Sequence, residues 1–309
     1  SSDFSKLDEL IYYLIDEFSS QGVSISLPSL RIDSFSLDIM DKVQDIRKSS
    51  LTFAPEAGSQ RLRDVINKGL TEEEILDGAS TAFEGGWNRV KLYFMLGLPT
   101  ETEEDIEGIA TLSDKIARRY YEIPKEERNG RVNILVSTSK PFTPFQWARM
   151  NTVEEYEEKT YLLRNKISEQ LNNRSIKYNW HGGKLSVLEG VFARGDRKLS
   201  ELIYKAYKKG CMYDSWTEHF DSETWWSVFE ESQIDMDFYV HREIDEDEIF
   251  PWDFIDIGVT KKFLYREYKR AKEGKVTAPC GEACMNCGLK PYASGICLAN
   301  TKTEVQNEG

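Results

Sequence analysis

Between residues 3 and 180 the chain alternates helix-like and strand-like segments, and this alternation limits the fold more than any other feature. Residues 4–18 place Leu7, Leu10, Ile11, Leu14, Ile15 and Phe18 at helical spacing. Strand-like runs follow at Val23–Leu30, Leu51–Ala54, Arg89–Leu96, Val132–Val136 and Ile176–Trp180. Helical sequence separates them at 37–47, 59–84, 103–120 and 153–171. Two helix starts are marked by capping boxes, Thr71 with Glu74 and Thr152 with Glu155, and Thr102 caps a third helix. Strands joined through helices of this length pair in parallel by right-handed crossovers. Four or five such units make an incomplete barrel or an open α/β sheet. The chain opens on a helix with no strand before it, as a barrel would with its first units removed.

Past residue 181 the pattern is mainly helical, at 183–193, 197–209 and 222–231, with Trp216, Trp225 and Trp226 expected in the core of a helical extension. The resulting division is 1–180, an α/β part; 181–275, the extension; and 276–309, a cysteine-rich tail. A net charge of −13 argues against non-specific nucleic-acid binding, which needs a basic surface. Charge is uneven, however. Glu243–Glu248 is an acidic run, while Lys261–Lys275 carries seven Lys or Arg against two Glu. Both read as solvated surface. No apolar run approaches the ~20 residues of a membrane span, and no export signal is visible, so a cytoplasmic location is expected. The first residues are Ser-Ser-Asp, as in a processed chain or one cut from a longer protein.

Ligands of parallel α/β sheets bind where strands run into loops at their C-terminal ends. Here those points are Leu30-Arg31-Ile32-Asp33, Pro55-Glu56-Ala57-Gly58-Ser59, Gly97-Leu98-Pro99-Thr100-Glu101, and Ser137 to Pro144. A glutamate before Ala-Gly-Ser suits a zwitterionic or ribosyl ligand: the carboxylate accepts from an amine or hydroxyls, and Gly58 admits close backbone approach. Lys68, one helix on, would return to meet a carboxylate. Gly97-Leu98-Pro99 reads equally well as a tight strand-to-helix turn.

Taken together, these strand ends resemble the radical S-adenosylmethionine (SAM) superfamily. The resemblance rests on Ser29-Leu30-Arg31-Ile32-Asp33, Thr52 through Leu62 and Lys91 through Thr102, with the later run Leu188 through Arg197, and spans about residues 20–215. It is nearest the branch of tRNA methylthiotransferases and oxygen-independent coproporphyrinogen oxidase, among proteins with a cobalamin-binding domain ahead of the radical SAM domain. The resemblance implies the later strands of a TIM-like (β/α) barrel. It also implies an enzyme that reductively cleaves SAM to a 5′-deoxyadenosyl radical on a [4Fe–4S] cluster, with the substrate, small molecule or RNA, left open. By the same resemblance Glu56 binds the ribose or amino group of SAM, Lys68 faces the methionine carboxylate, Arg31 and Lys91 line the mouth, and Gly97, Pro99 and Glu101 shape the adenine side. Ser59 follows in the Glu56 motif. Arg31 and Lys91 would alternatively pair with Asp33 or Glu56.

Cys280, Cys284, Cys287 and Cys297, four of five cysteines, lie within eighteen positions. The first three have the C-x3-C-x2-C spacing of a radical SAM cluster, but they follow the barrel-like region. They also lack the usual aromatic residue before the third cysteine, where Asn286 stands. In the family the cluster loop follows the first barrel strand, so its ligands are expected upstream, in a missing N-terminal part. This chain alone is then expected to be inactive. The four thiolates suit one zinc or an auxiliary [4Fe–4S] cluster, which spacing cannot separate, and reduced surface cysteines are the plainer alternative. Cys211 reads as a buried small apolar residue. His181, His219 and His241 form no metal or catalytic pattern, and neither a phosphate-binding loop nor a dinucleotide fingerprint occurs. Two rival readings stand beside the first. One is a metal-stapled RNA-binding module using Lys261, Lys262, Lys269 and Arg270. The other is an ordinary barrel enzyme on a phosphorylated metabolite, with Glu56, Lys68 and Lys91 in acid–base roles.

Overall fold

A computed structural model describes residues 6–23, 51–87, 89–122, 131–137 (as backbone), 141–280, 282–289 and 291 of the 309. Four strands, β1 (Leu51–Glu56), β2 (Arg89–Met95), β3 (Arg131–Ser137) and β4 (Ile176–Asn179), form one sheet in the order β1-β2-β3-β4. Every pairing is parallel. The crossovers carry helices α2 (Gln60–Val65), α3 (Glu72–Glu84), α4 (Glu103–Glu122) and α5 (Val153–Ser168), and α1 (Leu7–Phe18) precedes them. This is a mixed α/β fold with a short parallel sheet, consistent with part of a (β/α) barrel. Apart from Val23, the strand expected at 23–30 lies outside the described residues, as does the helix expected at 37–47. Among the described residues no helix is long and apolar enough to cross a membrane.

Alternation along the strands decides which face is covered. Leu51, Phe53, Val90, Leu92, Phe94 and Ile176 are buried against Ile75, Ala79 and Phe83 of α3, Ile106, Ile109, Leu112 and Ile116 of α4, and Leu163 and Ile167 of α5. Burial of each such side chain contributes about 2 kcal/mol, which makes this layer the main source of stability in the α/β part. On the opposite face Thr52, Ala54, Lys91, Tyr93 and Met95 are only half-buried, and Lys177 and Asn179 are exposed. The register sets Thr52, Lys91, Asn133 and Lys177 in one row across all four strands.

The helical sequence expected across 59–84 is broken. α2 ends at Val65, and the chain turns through Asn67 (φ 52°) and Gly69 (φ 59°), both left-handed, before Thr71 restarts it with its capping box. A left-handed pair cannot continue a right-handed helix. Likewise α5 stops at Ser168 rather than 171, followed by a 3₁₀ turn at Asn173–Ser175.

The C-terminal half supplies α6 (Gly183–Arg194), α7 (Leu199–Lys208), α8 (Ser222–Ser232), α9 (Met236–Val240) and α10 (Lys261–Lys272). α9 is too short for periodicity to reveal. Helices α6 to α9 share a core of Val187, Leu188, Val191, Leu202, Val228, Phe229 and Val240, with Trp225 inside and Trp226 at its margin. Trp216 does not join it and is 62% exposed, which corrects its expected place. Cys211 is buried there, and burial pushes its thiol pKa up, as a small apolar-like residue should behave. A third core joins the two halves. Ala57 and Leu98 from the strand-end turns and Leu62 and Val65 of α2 pack with Phe145, Trp147, Phe250, Trp252, Leu264 and Tyr268.

Candidate ligand site at the strand ends

The end of β1 is irregular. Phe53 pairs with Leu92 but Glu56 with Phe94, so one extra residue bulges from β1, and Glu56 sits at φ 66°. Bulges beside binding sites commonly re-aim a side chain, and a non-glycine residue in this region of backbone space costs about 1–3 kcal/mol. Glu56 meets Lys68, whose Nζ lies 3.3 Å from Oε1, and both side chains are about one-quarter to one-third exposed. The left-handed Asn67 brings Lys68 back to the strand end, and the Lys68 N–H donates to the Arg63 carbonyl at 2.9 Å.

Arg63 holds this turn together. It is completely buried and donates to the carbonyls of Ala57 (3.1 Å), Gly58 (3.0 Å) and Leu70 (3.1 Å) and to the Gln60 side chain (3.0 Å). Burial draws its pKa below the ordinary arginine value, against the pull of Glu72 and Asp64. Carbonyl oxygens thus satisfy the guanidinium and tie together the segments on either side of α2.

Gly58 and Ser59 serve packing here. A Cβ on Gly58 would lie 2.1 Å from the Ile109 nitrogen, so its bare backbone lets α4 cross β1's turn. Ser59 caps α2 by accepting from Leu62 N–H and donates to Asp105. Asp105 also accepts from Arg61 and from the Thr102 N–H (2.8 Å) and hydroxyl (3.0 Å). Burial pushes the Asp105 carboxyl upward, yet the donors Arg61, Ser59 and Thr102 outweigh it and hold the pKa below the ordinary range. Arg61 reaches on to the Thr100 carbonyl at 2.7 Å, so the turns after β1 and β2 are tied into one unit.

After β2, Gly97 (φ 82°) donates its N–H to both oxygens of Glu101, at 3.0 and 3.1 Å. The Glu101 carboxylate is 2% exposed and pairs with Lys159 at 2.8 Å. Glu101 therefore fixes the Gly97–Pro99 turn, and Pro99 stands half-buried within it. Lys91 pairs in register with Thr52, three residues before the Phe94 row of Glu56, or ~10 Å down the strand. This puts its backbone in mid-sheet rather than at the mouth. Arg31 lies outside the described residues. Arg63, Asp105 and Lys159 were not singled out by sequence; a lone Arg three residues into a helix, or an Asp in a helix's first turn, carries no pattern distinguishing it from surface charge.

Among the described residues no group of three or more His, Cys, Asp or Glu is gathered as a metal requires. Cys280 and Cys284 are exposed and Cys287 is half-buried, while Cys297 lies outside the described residues. The three described cysteines of the tail are therefore not gathered around one point. The acidic run and most basic residues of the 261–275 stretch are exposed, as expected of solvated surface, with a few ties across them. Lys272 pairs with Glu243 at 3.1 Å, and Lys261 with Asp253 at 2.5 Å and with the Glu248 carbonyl at 2.6 Å. Arg266 donates to the Met285 carbonyl at 2.7 Å, and Arg270 to Thr277 at 3.0 Å and the Val276 carbonyl at 2.6 Å, stitching the cysteine tail to α10.

Residues 2–113 match the Radical SAM superfamily. The chain is 32% identical over 233 residues to an uncharacterized protein of Methanocaldococcus jannaschii, covering 72% of this chain and 48% of that one. It is 22% identical over 161 residues to an uncharacterized methyltransferase of Pyrococcus horikoshii, covering 51% of this chain and 35% of the relative. The chain thus spans about half or less of the length of these curated relatives. A radical SAM domain implies an enzyme class and two cofactors, SAM and a [4Fe–4S] cluster. The amino-acid end of SAM is a zwitterion, and Glu56 and Lys68 present the complementary pair of charges.

Proposed function

We propose that residues 1–180 form the later part of a radical SAM barrel whose strand-end mouth binds the methionine end of SAM on Glu56 and Lys68. The observation that carries this reading is the half-buried Glu56–Lys68 pair on the bulged end of β1, in a turn braced by a buried arginine. In a bound complex the Glu56 carboxylate accepts from the ligand amine or ribose, and Lys68 donates to its carboxylate. The Arg63 and Asp105 networks keep both turns fixed, so little ordering cost falls on binding. The Gly97–Glu101 turn borders the adenine. SAM with its reduced cluster supplies radical chemistry at an unreactive C–H bond, and the protein's part is to orient the ligand and exclude water.

In this reading the cluster's thiolates lie outside this chain, because all five cysteines fall at or after position 211. Residues 181–275 form the helical extension, and Cys280, Cys284, Cys287 and Cys297 hold zinc or an auxiliary iron–sulfur cluster. The whole protein carries a cobalamin-binding domain, as the sequence resemblance implies, and transfers a methyl group, the activity for which the Pyrococcus relative is named. The reading is tested by SAM titration calorimetry on this polypeptide. Glu56→Gln and Lys68→Met are expected to weaken binding ~10-fold or more, about 1.4 kcal/mol each. Unchanged affinity in both variants would overturn it.

A further inference from the structure

Between α10 and the cysteine tail the chain leaves a cavity of about 350 Å³, within the size range of small-molecule sites. Its walls are Arg266, Glu267 and Arg270 of α10, Thr277, and the tail at 284–286. Arg266 and Arg270 stand four residues apart, so their side chains leave one face of the helix. Each guanidinium is held in place by part of its donor set. Arg266 gives Nε to Glu267 at 3.2 Å and Nη2 to the Met285 carbonyl at 2.7 Å, and it lies 4.8 Å from the centre of the Phe263 ring. Arg270 gives Nε to the Thr277 hydroxyl at 3.0 Å and Nη2 to the Val276 carbonyl at 2.6 Å. Among the described residues Nη1 of neither arginine has a hydrogen-bond partner.

The Glu267 carboxylate in the wall is answered from within. It accepts from Arg266 on one oxygen and from the Thr277 hydroxyl on the other. The wall therefore sets two cations against one anion, a positive surplus in a chain whose net charge is −13. Two fixed guanidiniums with donors to spare match a group with roughly two negative charges and three acceptor oxygens, which is a phosphate monoester. A carboxylate, with a single charge and two oxygens, engages only one fork. Thr277 also ties the cavity to the strand ends. Its N–H donates to the Asn67 side chain at 2.8 Å, and Asn67 directly precedes Lys68. The cavity thus flanks the turn that carries one member of the Glu56–Lys68 pair.

We propose that this cavity binds the phosphate monoester of a phosphorylated substrate on Arg266 and Arg270. As the substrate's site it rests on the radical SAM reading above, whereas the anion binding itself does not. The test is the melting temperature of this polypeptide in inorganic phosphate at about 10 mM, against chloride of matched ionic strength. Acetate at the same concentration is a second arm. Hexauridylate RNA without terminal phosphates, which carries diesters alone, is a third. Inorganic phosphate is expected to raise the melting temperature by ~2–4 °C, and acetate or the RNA by less than half as much. Arg266→Gln and Arg270→Gln are each expected to lose at least half of the phosphate gain and the double variant all of it. Lys269→Gln, at an exposed position outside the cavity wall, should keep the gain. Glu56→Gln should keep it as well while losing SAM affinity, so the two assignments fail separately. No phosphate gain in the wild type, an equal gain from acetate or the RNA, or an undiminished gain in the double variant would overturn the proposal. If the double variant does not fold, Arg266→Gln decides, since that position is exposed.

Discussion

Arg63 shows how one residue governs the geometry of the proposed ligand pair. Its guanidinium answers the carbonyls of Ala57, Gly58 and Leu70, the last shared with the Gln60 amide at 3.3 Å. Arg63→Met keeps the bulk and strands those carbonyls, so a loss of about 3 kcal/mol or more is expected in denaturant unfolding, with SAM affinity falling alongside. Gly58 is constrained from the other side. Gly58→Ala would drive a methyl into the backbone of Gly108 and Ile109 and is expected to cost about 1–3 kcal/mol in the same measurement. Glu56, Gly58, Ser59 and Lys68 were legible because their order at a strand end is a pattern. What each does was less legible. The motif puts Gly58 near a ligand and the resemblance puts Glu101 on the adenine side; in the fold Gly58 also lets a helix cross and Glu101 also closes a turn. Long-range partners such as Ile109 and Lys159 decide those roles, and local sequence does not contain them.

At the scale of elements, strands and helix starts were readable and helix ends were not. The boxes at Thr71 and Thr152 form as expected, each hydroxyl accepting from N3 while the glutamate answers the cap. Thr71→Ala should cost about 1 kcal/mol by unfolding midpoint. The break between α2 and α3 turns on Asn67, whose side chain accepts from the Thr277 N–H at 2.8 Å, a partner 210 residues away that local sequence does not contain. The start of α5 also carries a pH dependence. Glu155 is held at about 2, chiefly by the hydrogen bonds from Arg149, with burial opposing and the Thr152 N–H helping. Its pKa is lower folded than unfolded, so its contribution is complete above the ordinary glutamate range and is lost as pH falls through 4.5 toward 2. The pair is partly exposed and screened, so the effect is modest. The melting temperature of Arg149→Met is expected to fall less between pH 5 and pH 3 than that of the wild type. Parallel curves would contradict the assignment.

For the whole molecule, the charge runs at 243–248 and 261–275 look like two independent surfaces in sequence, yet the fold pairs them. Lys261 and Lys272 reach the acidic run and Arg266 and Arg270 the cysteine tail, while Lys262 and Lys269 stay exposed. The third core, shared by Ala57, Leu98, Trp147 and Tyr268, likewise links turns and helices 211 residues apart in the chain, a contact no periodicity could show. Because all cysteines follow the sheet, this polypeptide reconstituted with iron and sulfide is expected to form no 5′-deoxyadenosine from SAM under reduction, as read by chromatography. The central claim concerns where the amino-acid end of SAM sits, and one comparison tests it most directly. Dissociation constants are measured for SAM and for 5′-methylthioadenosine, which lacks that end, on the wild type and on Glu56→Gln/Lys68→Met. The wild type is expected to favour SAM by ~10-fold or more, with the preference gone in the double variant. An equal preference for SAM in both proteins would contradict the assignment.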